Sequence, residues 1–235
     1  WELERRLEKE FGLREVIIVG ENSSEDGMKE SLGEAAARYL EYTIKDGNIV
    51  GVSMGSTLFE VVSHVVHPAA QKVTFVPLVG GVGRVRMELH ANSLAESLSR
   101  IYDGKFVPLH APARVSSRNI RDELLKEDSL LPAIYLTQKL DIAVVGIGYP
   151  NEKSAIMATE YFKENEIESL IDRKVAGELC MQFYDIYGDT APYKDDNNVI
   201  GMDISMLRSV PRSIGIAGGV EKLRAVRGAI NGHYI

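Results

Sequence analysis

Residues 48–57 read Asn-Ile-Val-Gly-Val-Ser-Met-Gly-Ser-Thr. A short buried strand over 49–52 runs into a turn of Gly51, Ser53, Gly55, Ser56 and Thr57, and an apolar helix over 58–66 follows directly. Glycine lets a backbone come close to a ligand, and hydroxyls with the free N–H groups of a helix's first turn donate to an anion, so this stretch offers a phosphate cradle. The same residue types also serve as plain strand-to-helix punctuation and caps. Two further junctions of the same kind favour the cradle. Gly80-Gly81-Val82-Gly83 ends one apolar run, and Ala217-Gly218-Gly219-Val220-Glu221-Lys222 ends another, with the Lys222 ammonium in the first turn of the following helix. Permissive turns emerging at one sheet edge, with one cation and several hydroxyls, suit a phosphorylated polyol. Glu178, next to Gly177, can accept hydrogen bonds from sugar hydroxyls or stand as a capped surface acid.

Other patterns point elsewhere and carry less. Gly51-Val52-Ser53-Met54-Gly55 matches the nucleophile elbow of serine hydrolases, with Ser53 as nucleophile. Such an elbow sits in the middle of its sheet and needs an acid and then a histidine downstream, where only His233 is near the end. Gly146 and Gly148 follow a strand, but a dinucleotide fingerprint would put its third glycine at Asn151, beside Pro150. His64 and His67 lie three apart on an apolar helix with no third ligand, so no metal and no other cofactor is expected.

The elements that must position these residues alternate. Strands are expected over 16–19, 49–52, 73–79, 105–109, 141–145 and 213–217, with an extended segment over 178–187. Helices are expected over 28–44, 58–66, 91–102, 118–126, 130–139, 165–173 and 220–230, and an amphipathic segment carries Leu3, Leu7 and Phe11. Strands alternating with helices of this length mean βαβ units in a mostly parallel open sheet flanked by helices, an α/β fold whose ligands sit at the carboxyl ends of strands. A single domain over 1–235 is expected, with a subsidiary lobe within 111–203.

The bulk properties agree. The 235 residues are 45% hydrophobic, enough for a full core, and contain no apolar run of membrane-spanning length. One cysteine, Cys180, excludes an intrachain disulfide and suits a cytoplasmic protein; it reads as a small buried side chain. A net charge of −7 without a dense basic cluster makes the chain a poor ligand for nucleic acid by itself. The chain opens on Trp1, and His233, Tyr234 and Ile235 read as the start of a strand, so a fragment of a longer protein is expected.

Taken in order, several segments resemble one family. They are Leu32-Gly33-Glu34-Ala35-Ala36-Ala37-Arg38-Tyr39-Leu40, the run from Asp46 to Thr57, the Gly80-Gly81 loop with Asn92, the run from Asp141 to Gly148, Gly177-Glu178 leading to Phe183-Tyr184-Asp185, and Ala217-Gly218-Gly219 with Lys222. Their joint order and spacing is similar to the effector-binding domain of SorC-type bacterial transcriptional regulators. That resemblance implies a fold like the ribose-phosphate isomerase and glucosamine-phosphate deaminase group, used for sensing a phosphorylated sugar rather than for catalysis. It also implies an N-terminal helix-turn-helix domain, outside this chain, that binds operator DNA, and a homo-oligomer, dimer or tetramer. Residue by residue, Gly55, Ser56, Thr57, Gly218, Gly219 and Lys222 would hold the phosphate. Ser53, Gly80, Gly81 and Glu178 would line the sugar, and Val79, which cannot form an imine, implies reversible binding. A sugar-phosphate isomerase, deaminase or lactonase of the same fold, or a serine hydrolase at Ser53, are the alternatives.

Overall fold

Three runs of contiguous apolar residues become neighbouring parallel strands in the computed structural model, which describes residues 1–20, 24–66, 68–83, 85–151 and 159–235. These are β1 (Ile49–Val52), β2 (Thr74–Pro77) and β4 (Ile142–Gly146); β3 (Lys105–Phe106) and β7 (Arg212–Ile216) complete a five-stranded sheet in the order β3-β2-β1-β4-β7. Every pairing is parallel. Both faces of such a sheet must be covered, which is why its central strands are apolar throughout rather than alternating with polar residues. Alternation instead selects the face: Val50, Val52, Ile142 and Val144 enter one apolar cluster, Ala143 and Val145 the other.

The first cluster lies under α2 (Glu25–Thr43), α3 (Ser56–His64) and α4 (Ala91–Ile101). Their buried residues fall at helical spacing, as with Leu58, Val61 and Val62 on α3 and Ala91, Leu94, Ala95 and Leu98 on α4. α2 and α3 pack closely because Gly33 lets the helices meet: a Cβ there would lie 2.6 Å from the Glu60 Cβ and 2.7 Å from its carbonyl carbon. Ser24 caps α2 by accepting from the Gly27 N–H at 3.1 Å.

The second cluster is covered by α5 (Arg118–Leu124), α6 (Leu131–Thr137), α7 (Glu164–Asp172), the antiparallel pair β5 (Gly177–Leu179) and β6 (Gln182–Tyr184), and α8 (Leu223–Asn231). Residues of 111–203, among them Phe162, Phe183, Tyr193 and Val199, share this cluster with Val76 and Val145 of the central sheet. No helix among the described residues is long and apolar enough to cross a membrane.

Three expectations are corrected. Residues 16–19 join no strand: the Val16 and Ile18 N–H groups donate to Glu8 Oε1 at 3.0 Å and Glu4 Oε1 at 2.9 Å on α1 (Glu2–Phe11). Carboxylates thus take bonds that a neighbouring strand would supply, and Ile17 and Ile18 remain 47% and 45% exposed. Residues 178–187 are not one extended segment but contain the β5–β6 turn, because Cys180 and Met181 adopt left-handed φ of 51° and 63°. The C-terminal residues do not begin a strand: Tyr234 is buried and its hydroxyl donates to the Gly188 carbonyl at 2.6 Å. Element ends shift by small amounts elsewhere, and the helix expected over 220–230 opens with a 3-10 turn, Val220–Lys222.

Gly33→Ala forces α2 off the α3 backbone and is expected to cost about 1–3 kcal/mol, read as a lower urea midpoint with an unchanged slope.

Candidate functional site

Strand order decides where a ligand can sit. The chain proceeds outward from β1 through β2 to β3, then returns to the other side of β1 for β4 and β7. The order therefore reverses between β1 and β4, and in open parallel sheets the crevice beyond the carboxyl ends at such a reversal is the binding site. A cavity of about 40 Å³ lies there, bounded by Ser53, Met54 and Gly55 after β1, Gly146 at the end of β4, Thr159, and Glu178, Cys180 and Met181 of the β5–β6 hairpin. That is room on the order of a few waters or a pair of hydroxyl groups.

The wall after β1 is an anion cradle in local geometry. Gly55 caps α3 at φ 119°, which L side chains rarely adopt, and its N–H donates to the Leu89 carbonyl at 3.0 Å. Among the described residues no protein acceptor is recorded for the N–H groups of Ser56, Thr57 and Leu58, which form the first turn of α3. The positive end of the helix dipole adds to them.

Glu178 reaches the same crevice because its backbone is tied to the end of β4. Gly148 N–H donates to the Glu178 carbonyl at 3.0 Å and Glu178 N–H donates to the Gly148 carbonyl at 2.9 Å. Gly148 leaves room for this rotamer of Glu178, since a Cβ there would displace the carboxyl oxygen Oε1. The other carboxyl oxygen, Oε2, accepts from the Met181 N–H at 2.9 Å. That bond closes the hairpin turn, whose two left-handed residues, Cys180 and Met181, replace the Asn-Gly usual in a turn of this shape. Glu178 keeps some accessible surface where it borders the cavity, but its carboxyl is enclosed. Desolvation raises its pKa from 4.5 to about 7, against smaller lowering by the Met181 N–H and the Lys222 charge. Desolvation likewise pushes the Cys180 thiol up to about 12, with the Ser53 hydroxyl bonded to it.

Lys222 stands beyond β7, one strand over from β4, and its charge reaches both Glu178 and Glu25. Gly218 packs its bare Cα against Met28 and Leu32 of α2, and Gly219 at φ 103° admits the Glu221 carboxylate close by. The structure thus brings Ser53, Gly55 and Glu178 to one cavity, sets Ser56 and Thr57 beside it, and places Gly218, Gly219 and Lys222 at the same sheet edge. Gly80 and Gly81 end β2 on the far side of β1. Their N–H groups donate to the Ile200 and Ala111 carbonyls, and Gly80 is packed against the backbone of Ala111 and Pro112, so neither lines the cavity. Val79 is fully buried in the core.

Met54, Gly146, Thr159, Cys180 and Met181 also line the cavity, although the sequence assigned none of them to the site. The hairpin turn carries no Gly, Asn or Asp that would have signalled it. His233 lines a separate groove between residues 12–19 and β7, away from Ser53, which is only 2% exposed. His64 Nδ1 faces the Glu60 carbonyl at 2.8 Å, and His67 lies outside the described residues. Among the described residues no group of three or more His, Cys, Asp or Glu could hold a metal ion.

Residues 1–235 match the family described as "Putative sugar-binding domain". The chain is 26% identical over 231 residues to the deoxyribonucleoside regulator of Bacillus subtilis (strain 168), covering 97% of this chain and 73% of that protein. It is 28% identical over 240 residues to the sorbitol operon regulator of Klebsiella pneumoniae, covering 99% of this chain and 75% of that protein. The crystal structure of a probable sor operon regulator from Shigella flexneri superposes with a TM-score of 0.90 at 29% identity, covering 100% of this chain and 93% of that one.

Because Glu178 holds its proton more tightly folded than unfolded, its burial costs nothing below about pH 4.5 and its full penalty above about pH 7. Stability from this group therefore falls as pH rises through that window. Glu178→Gln is expected to gain about 2–3 kcal/mol relative to the native chain between pH 4.5 and 8, read from urea unfolding at each pH.

Proposed function

The chain belongs to the family of putative sugar-binding domains, and on that premise we propose that it is the effector-sensing domain of a SorC-type transcriptional regulator, with a phosphorylated sugar as effector. The observation that carries this is the first turn of α3, whose N–H groups, without an acceptor among the described residues, place a helix N-terminus at the β1/β4 crevice that Glu178 borders. The phosphate takes the Ser56 and Thr57 end and draws Lys222; the sugar takes the cavity beside Ser53 and Glu178. An ammonium and fixed N–H dipoles hold a small anion in spite of a net charge of −7, because the local field rather than the total charge governs a pocket.

Sensing requires that the filled site favour one arrangement of a larger assembly. A ligand shifts such an equilibrium only by its differential affinity for the two arrangements. The assembly in this proposal is a cytoplasmic homo-oligomer whose helix-turn-helix domain lies outside the chain and carries operator binding; the relatives named above are operon and nucleoside regulators.

A near-neutral carboxyl is also what a general base needs, which favours a sugar-phosphate isomerase as a second reading. Against it, the groups set beside Glu178 are a thiol at about 12 and the Tyr184 phenol, raised well above 10, and neither is poised as the partner acid.

Calorimetry and thermal shift with pentose and hexose monophosphates are expected to show saturable binding that Lys222→Ala weakens about tenfold or more, some 1.4 kcal/mol. Silence toward every phosphorylated and free sugar removes the proposal. Turnover of ribose 5-phosphate by the native chain, lost in Glu178→Gln, would instead establish the isomerase; no turnover is expected.

A further inference from the structure

Among the described residues, Glu178 is the acid that this crevice encloses, and no paired cation contacts it. Its Oε2 has a single backbone donor, Met181 N–H at 2.9 Å, and no salt bridge to it is present among the described residues. The groups that face it come from several elements. From β1 comes the Ser53 hydroxyl; from the end of β4, the bare Cα of Gly148; from the hairpin, the Cys180 thiol. From β6 comes the Tyr184 phenol, which donates to the Ala225 carbonyl at 3.0 Å. Beyond β7 stands Lys222, whose charge acts on Glu178 from outside contact distance. Thiol and phenol stay neutral across the physiological range, so Glu178 alone among these neighbours changes charge there.

We propose that effector capture at this site releases a proton from Glu178, because sugar hydroxyls entering the cavity supply the donors that its carboxylate lacks in the free protein. The inference rests on the sugar-phosphate reading above. The step is an ionisation: the Glu178 carboxylic O–H breaks, its proton passes to buffer, and the carboxylate accepts hydrogen bonds from the sugar. The cavity of about 40 Å³ fits a pair of hydroxyls beside that carboxyl. A carboxylate accepting several hydrogen bonds has a much lowered affinity for protons. Phosphate alone acts in the opposite sense, since its negative charge disfavours ionisation of a nearby acid and withdraws the influence of Lys222. Below about pH 7 the sensor would therefore bind its effector more weakly as the solution acidifies.

The experiment is calorimetry at pH 6.5 in buffers of different ionisation enthalpy, with ribose 5-phosphate, fructose 6-phosphate and inorganic phosphate, on the native chain and on Glu178→Gln. Carboxyl 13C titration of Glu178, free and bound, accompanies it. The expected result is that the native chain releases about half a proton or more per sugar phosphate bound beyond the count for Glu178→Gln with the same ligand, a difference that cancels the phosphate group's own ionisation. With inorganic phosphate that difference disappears, and in the native chain the Glu178 midpoint falls from near 7 to below 5.5 when a sugar phosphate binds. Equal proton counts in the two chains, or a Glu178 midpoint unmoved by a bound sugar phosphate, overturn the inference and leave the sensing proposal standing. Absence of binding by both sugar phosphates overturns both.

Discussion

Two backbone hydrogen bonds between Gly148 and Glu178 hold the candidate site together. They join the end of the central strand β4 to a hairpin that belongs to the other side of the molecule, and so carry a carboxyl group into the crevice where strand order reverses. Without them the Glu178 carboxyl would not be held opposite the turn that follows β1. The Glu178 carboxyl then lies against Gly148, where a Cβ would displace it. Glycine also serves a close backbone approach at Gly33, between α2 and α3.

The electrostatics of the crevice follow from the same join. A carboxyl carried there on backbone bonds arrives desolvated, and no counter-ion among the described residues is in contact with it. Its affinity for a proton therefore rises, while the opposite wall presents N–H dipoles and Lys222 lies one strand further on. The two walls want different things from a ligand: one wants negative charge, the other wants hydrogen-bond donors. A phosphorylated polyol carries both within one small molecule.

Local strain sits at the same place. Cys180 and Met181 hold left-handed backbone angles that neither favours, at a typical cost on the order of 1–2 kcal/mol for each. The turn persists because both side chains are buried in the larger apolar cluster and because Glu178 accepts from the Met181 N–H. Any ligand that engages the Glu178 carboxyl therefore also touches the bond that closes the turn.

Alternation of apolar runs with helical periodicity determined from sequence that this chain builds a parallel sheet flanked by helices, and that glycine-bearing junctions follow the carboxyl ends of its strands. Both are local properties, set by side-chain spacing and by glycine's freedom of φ. The strand-to-helix turn of Gly55, Ser56 and Thr57 was readable for that reason. Tertiary structure alone decided that residues 16–19 are tied to α1 carboxylates instead of extending the sheet, and that residues 178–187 fold into a hairpin. It alone decided that Thr159, Cys180 and Met181 share the cavity, and that burial raises the Glu178 pKa from 4.5 to about 7. Strand order, edge pairing and desolvation depend on which distant segments surround a residue, and no window of sequence contains that information.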